Sequence, residues 1–375
     1  LNRESKAEEL QEKKRRIEGY IQEEGLEGLL LARDYNFAWA TAGRDNHVTR
    51  GSEEGASFLL FDSEKAYLLT TNIEAPRLRE EELSKELREA FSLEVIAYPW
   101  YEEELEGTVA ELGVEPEGVR TDVPSLGFAP LGADFFRLRK SLTPGERERY
   151  RSLGEKATEV MEDFCRNLEP GLSEMEIAGS LGGKLMESGM EPSVLLVGSD
   201  ERARKFRHPV PQEKCVEDYV MVVICARREG QVVSLTRCIH FGSVPKELRD
   251  KFSACAQVDA AMIAATRPGR AVGSVVERAQ EVYAEQGFPG EWKHHHQGGP
   301  TGYKERDYLA TAGSEDPILE GQAFAWNPSI QGAKSEDTIL VEKEGAQLIT
   351  EPDDWPTISV ETNGRSFQRP DLLKL

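Results

Sequence analysis

The sequence predicts a two-domain α/β (α+β) protein, with a small α/β domain over residues 1–140 and a larger domain over residues 141–375 built from two α-α-β-β repeats. Three observations predict it. At 375 residues the chain is too long for one ordinary core. Up to about residue 140, helical patterns alternate with apolar runs of strand length. Beyond that point a helix, a Pro-Gly turn, a second helix and a strand hairpin occur in that order twice.

The elements follow in turn. Residues 5–24 read as a helix with Leu10, Ile17 and Ile21 on one side. Residues 28–31 and 57–61 read as strands, and 66–70 as the second arm of a hairpin turning at Asp62 and Ser63. A further strand covers 93–98 after a charged helix. At the domain junction, Thr143 as N-cap, Pro144 at the first helical position and Glu146 three residues after the cap form a capping box that opens a helix over 144–167. Glu169-Pro170-Gly171 ends it, and Ser173 with Glu176 caps the next helix. The second copy runs from a helix over 246–266 through Arg267-Pro268-Gly269 to a helix capped by Ser274 and Glu277, closing at Gly287. The first hairpin is 220–225 and 231–240 around Glu229-Gly230, and the second is 323–327 and 334–341 around Gly332. One such unit cannot bury its sheet face alone. Two related by a pseudo-two-fold close a curved sheet with helices outside and bring both hairpins to one cleft.

Composition excludes several classes. Sixty-eight acidic residues against 46 basic ones give a net charge of −22, which repels phosphate backbones and anionic lipid. No nucleic-acid or membrane partner is expected. No apolar run reaches spanning length, and the charged residues 1–16 have no signal-peptide core. The five cysteines (165, 215, 225, 238 and 255) show no CxxC spacing, which fits free thiols in a reducing cytoplasm.

The motifs resemble those of the creatinase/aminopeptidase P/prolidase superfamily, peptidase family M24, whose fold is called pita-bread. LTPGERERYR from Leu142 resembles the start of its catalytic domain, as does EPGLSEMEI from Glu169. VICARREGQVVSLTR, Val223 to Arg237, resembles the metal-binding hairpin, in which one Asp is followed by another eleven residues on and then by Thr-Arg. His296 with Gln297, Gly298 and Gly299 resembles the His-Gly-x-Gly segment. Asn327-Pro328 stands where a Glu-Pro pair belongs, and Ser335-Glu336-Asp337-Thr338 resembles the terminal Glu-Asp-Thr/Ser segment. The likeness covers about residues 5–357, including an N-terminal domain like that of creatinase and prolidase.

In family peptidases two Asp, one His and two Glu hold two metal ions. Carried over by the resemblance, these positions are Val223, Ser234, His296, Asn327 and Glu336. A small shift in the histidine segment would put Gly299 in the place of His296. Dications about 3.5–4 Å apart need several carboxylates to coexist, and one acid remains of four. The resemblance therefore implies no metal and no cofactor, as in creatinase, which works without metal.

His208, in His208-Pro-Val-Pro211, resembles the family's His-x-x-Pro segment, so His208, His296 and Glu336 are the expected catalytic group. A neutral imidazole beside a carboxylate can pass protons to a leaving nitrogen. Ser234 and Asn327 are expected to hydrogen-bond the substrate where metal ligands once stood. In the run His294-His295-His296, a strand would put His294 and His296 on one side. Tyr303 stands where many relatives carry a second histidine, either as an oxyanion donor or as a core residue. Arg237 matches the family's Thr-Arg and is expected to brace the hairpin at the substrate site. Cys225 and Cys238 read as core residues. By the same resemblance, a homodimer is implied in which the N-terminal domain closes its partner's cleft, with Arg44, Asn46, His47 or Arg50 holding a substrate carboxylate. Three functions stand open: a metal-independent, creatinase-like hydrolase cleaving a C–N bond in a small, polar, carboxylate-bearing molecule; an inactive binding module; and a metal-dependent Xaa-Pro aminopeptidase or dipeptidase.

Overall fold

The structure, a computed structural model, describes residues 3–102, 105–132 and 134–375. It is mixed α/β and divides into two compact units. The first comprises residues 1–139, 143–146 and 229–231, and the second residues 140–142, 147–228 and 232–375.

In the first unit a six-stranded sheet has the spatial order Glu94–Tyr98, Ala66–Thr71, Glu54–Phe61, Gly28–Arg33, Val119–Thr121, Ala129–Pro130. The strand Gly28–Arg33 is buried along almost its whole length, as an apolar run at the middle of a sheet must be. The hairpin from 54 to 71 turns where expected, because the Asp62 carboxylate accepts from the Glu64 and Lys65 amides and fixes the turn. The helix Arg3–Glu24 buries Leu10, Ile17 and Ile21. Its Lys13 is also fully buried, between Glu9 at 2.6 Å and Glu146 at 3.0 Å. Glu146 is thus both an ion-pair partner and half of the expected capping box, accepting from the Thr143 amide at 2.7 Å.

In the second unit the repeat is visible as two four-stranded sheets. One has the order Leu373–Lys374, Gln231–His240, Tyr219–Arg228, Glu191–Ser199; the other Gly298–Thr301, Ala323–Trp326, Asp337–Glu342, Gly345–Leu348. The first hairpin turns at Glu229 and Gly230, both with φ > 0, as a two-residue hairpin turn requires. The sheets join where the Thr236 amide donates to Glu336 O (3.1 Å) and the Ser234 amide to Thr338 Oγ1 (2.8 Å). That junction sets residues 234–236 of one hairpin beside 336–338 of the other. Behind it lies the helix Lys246–Ala265, whose run of Ala residues lets it pack closely against the sheet.

Two expectations are corrected. The second inner helix, Val272–Glu285, begins at Ala271 with no side-chain cap; Ser274 sits inside its first turn and donates to Ala271 O. The histidine run is no strand. A 3-10 turn, Glu291–His294, ends at His294, and the strand begins only at Gly298. By contrast, Ser173 and Glu176 form the expected box. The C-terminal hairpin Thr357–Thr362 with Arg365–Pro370 carried no signal strong enough to anticipate.

Candidate functional site

The loop that carries His208 is shaped by a buried acid and a glycine. Glu174 accepts from Ser199 N and Oγ, from Arg202 Nε and from Gln212 N, tying both ends of the 199–212 segment to one carboxylate. Gly198 leaves room for Pro209, whose ring would lie 2.5 Å from any Cβ there. His208 is thereby delivered to His295, with the two Nε2 atoms 3.1 Å apart. Across the ring, His295 Nδ1 meets Ser329 Oγ at 3.0 Å. Ser329 is itself held by Arg207 and by Tyr283, whose hydroxyl accepts from the Ser329 amide and donates to its carbonyl. His296 completes the group: one ring nitrogen from each of His208, His295 and His296 lies within 4.8 Å of the others.

The second half of the site is a knot of charge. Glu336 is 2% exposed, yet it is an anion surrounded by donors. Its Oε2 faces Lys334 Nζ at 2.7 Å and accepts from Thr236 Oγ1 at 2.7 Å; its Oε1 accepts from Arg306 at 3.1 Å. The other arm of Arg306 donates to Ser234 Oγ, 3.1 Å away. Ser234 also meets Cys225 Sγ at 3.2 Å. Arg306 reaches this place because Gly299 lets its loop lie on the strand. A Cβ at Gly299 would stand 2.4 Å from Tyr308 O, and one at Gly298 2.1 Å from Ala325 O. Ala310 and Asp307 then donate backbone bonds to Gly298 O and Pro300 O.

The charges set the protonation states. Burial by itself would raise the Glu336 carboxyl, but Lys334 and Arg306 outweigh it and hold it at about 2. His296 is pushed down to about 4, by burial first and then by Arg306 and Lys334. His295 falls well below the ordinary histidine value, again through burial and then Lys334, and His208 is lowered by the same two causes. Near pH 7 the three imidazoles are therefore neutral and Glu336 is ionised.

The expected residues fare differently. His208 and His296 come together with His295, and Glu336 and Ser234 share Arg306. Asn327 is buried, with its Oδ1 unpartnered. Val223 lies 3% exposed in the strand Tyr219–Arg228. Tyr303 is 2% exposed. Arg237 is corrected: it does brace the hairpin, but it is fully enclosed by Glu162 (2.7 Å), Asp337 (3.1 Å) and Thr350 O, so it has no side free for a substrate. Cys225 and Cys238 are buried, and burial pushes both thiols up to about 12, which removes them as nucleophiles. Asn46 is also corrected, being fully buried with its amide on Ala32 O and Ser57 O. His47 is engaged by Asp34 and Asp45, and Arg44 by Glu81 O. Arg50 is exposed.

Sequence reasoning missed His295, Lys334 and Arg306. His295 was legible only as a neighbour of His296. Lys334 and Arg306 lie two and thirty residues from Glu336, and a missing carboxylate set is itself the signal to look for cations.

The family model for metallopeptidase family M24 matches residues 148–343. An uncharacterized peptidase of Staphylococcus aureus (strain MW2) is 24% identical over 232 residues, 60% of this chain and 66% of that protein. The chain thus spans just under two thirds of the length of that relative. Among solved structures, a Xaa-Pro dipeptidase from Bacillus anthracis superposes with a TM-score of 0.75 at 19% identity, over 98% of this chain and 100% of that one. The prolidase from Pyrococcus horikoshii OT3 gives 0.75 at 18%, over 91% and 99%. The N-terminal domain of the FACT complex subunit SPT16 from Cicer arietinum gives 0.71 at 12%, over 93% and 97%. These likenesses establish a prolidase-like, pita-bread fold with an N-terminal domain.

Proposed function

The chain belongs to metallopeptidase family M24, and from that membership and the charges in its cleft we propose that it is a metal-independent hydrolase of a C–N bond in a small, polar, carboxylate-bearing molecule. The observation that carries this is Glu336. Its two oxygens are taken by Lys334, Arg306 and Thr236. At the positions that the family resemblance assigns to the other carboxylates stand Val223, Ser234 and Asn327, which supply no negative charge. Such a donor set does not fit a pair of dications, because two fixed cations already occupy the one acid and repel further positive charge.

The remaining chemistry is that of neutral imidazoles. His208, the most exposed of the three, is the group to take a proton from water or give one to a leaving nitrogen. His295 receives it at Nε2 and fixes the orientation of its ring. His296 serves as a hydrogen-bonding partner for the substrate, together with Asn327 and Ser234. Glu336 orients Lys334 and Arg306. As an alternative assembly, a homodimer would bring the Arg44 to Arg50 loop of one copy to the cleft of another.

A metal-dependent Xaa-Pro aminopeptidase or dipeptidase is as compatible with the family and the fold; the charge of the cleft is what favours the metal-free reading. An inactive binding module is supported by the same saturation of Glu336. The experiment is metal analysis of protein purified without chelator, followed by a hydrolysis screen of N-acyl and guanidino acids with and without chelator. Chelator-resistant turnover lost in His208→Ala is expected. Two ions per chain, or turnover only after manganese or zinc is added, would falsify the proposal, and a substrate-free protein whose partner contacts survive His208→Ala would favour the binding module.

A further inference from the structure

At the candidate site of the second unit several buried polar side-chain atoms lack partners, the acceptor Asn327 Oδ1 among them. Among the described residues, Arg306 Nε is buried without a partner although both terminal nitrogens of the same guanidinium are engaged. His296 Nδ1 is likewise buried and unpartnered. The Lys334 ammonium carries three N–H bonds and has Glu336 as its ion-pair partner. Two cations share one carboxylate, so a single positive charge is left over in the knot. Buried donors of this kind are costly unless something accepts from them.

We propose that Arg306 and Lys334, sharing Glu336, form a seat for a carboxylate monoanion, with His296 as a third donor, and that this seat holds the carboxylate of the substrate. The inference rests on the metal-free reading above and deepens it by placing the substrate's charged end. A monoanion matches the surplus charge, and its two oxygens can accept from donors on Arg306 and Lys334 together. A dianion would leave a buried negative charge in excess. Gly299 lets the loop carrying Arg306 lie against the strand, and Thr236 holds Glu336 in place from the opposite hairpin. His208 and His296 are lowered first by burial, and the positive charges of Lys334 and Arg306 act in the same direction.

The test uses the full chain, treated with chelator and checked for metal, and sodium acetate as the probe at constant ionic strength. The unfolding midpoint is expected to rise with acetate and then saturate, as binding to the folded state requires. Arg306→Gln should weaken acetate binding about tenfold or more, and Arg306→Lys, which keeps the charge but not the Nε donor, should fall between that variant and wild type. Inorganic phosphate at pH 7.5, mainly a dianion, should bind more weakly than acetate. A midpoint that ignores acetate, or that responds equally in wild type and Arg306→Gln, overturns the proposal. So does tighter binding of phosphate than of acetate. Should Arg306→Gln fail to fold, the imidazole NMR signals of the wild type decide: acetate must move His296, and movement elsewhere alone overturns the seat. Metal analysis of the same samples separates the two readings. Two ions per chain would remove the metal-free function, and acetate binding confined to ion-loaded protein would remove the seat as well.

Discussion

Lys334 Nζ stands 2.7 Å from Glu336 Oε2, both side chains 3% exposed, so the cleft contains a buried ion pair two residues apart on one chain segment. Lys334 ends the strand Ala333–Lys334 and Glu336 lies in the short link before the strand Asp337–Glu342, so the pair forms with no long-range search. Its value lies in what its loss would expose.

Replacing Lys334 by Met leaves Glu336 buried with only Arg306 and Thr236. Breaking a buried pair from one side costs about 3 kcal/mol or more, because the surviving charge is uncompensated. Urea denaturation of Lys334→Met should show that loss, and the double variant Lys334→Met/Glu336→Gln should recover part of it. Equal stability of the single variant and wild type would mean that the pair contributes nothing.

Acid should destabilise the second unit before its carboxylates titrate. The unfolded chain protonates a histidine below about pH 6.5, whereas folded His296 resists protonation until about 4. The unfolded state therefore binds more protons between those values. Stability is fully present above the upper one and is lost as pH falls through the window. His295, lowered further, acts in the same direction. Melting temperatures from pH 7.5 to 5 should fall, and fall less in His296→Gln.

Gly299→Ala tests how Arg306 is positioned. The added methyl would stand 2.4 Å from Tyr308 O, a backbone atom that cannot simply rotate away. A cost of about 1–3 kcal/mol is expected from such overpacking, together with weaker acetate binding as the loop lifts. Gly171→Ala, at a position with no atom within 4 Å of its Cβ but with φ +94°, should cost stability through backbone strain while leaving acetate binding intact.

Arg237→Met should separate support from chemistry. The guanidinium joins Glu162 and Asp337, and Asp337 also accepts from Arg369 and Thr350. Removing it leaves two buried acids short of a partner, at about 3–5 kcal/mol. Chemical denaturation should register that loss. The carboxylate seat of the variant, measured at low temperature where it is folded, should keep its acetate affinity within a few fold.

Some of this could be read directly. The repeat was visible because Pro-Gly turns, the Ser173–Glu176 box and the Glu229-Gly230 turn are local signals, each decided by a handful of adjacent residues. The position of Glu336 beside the first hairpin followed from motif order. The conformation of the histidine run is by contrast not a local matter. Three consecutive histidines carry no period, and the turn at Glu291–His294 depends on Arg207 and its ion pair with Glu291, 84 residues away in sequence. His295 was therefore passed over in favour of His296, although it is His295 that meets His208.

The sequence by itself determined the order of elements, the overall α/β class and the absence of three family acids from Val223, Ser234 and Asn327, since each is a matter of residue type and spacing. Only the tertiary structure decided what stands in their place. Arg306, on a loop laid against Gly299, and Lys334, at the end of a short strand, converge on Glu336, and Arg237 is turned away into a sealed network. Charge acts through space and burial, whereas motifs are written along the chain, so a cation that substitutes for a missing partner leaves no mark until the chain has folded.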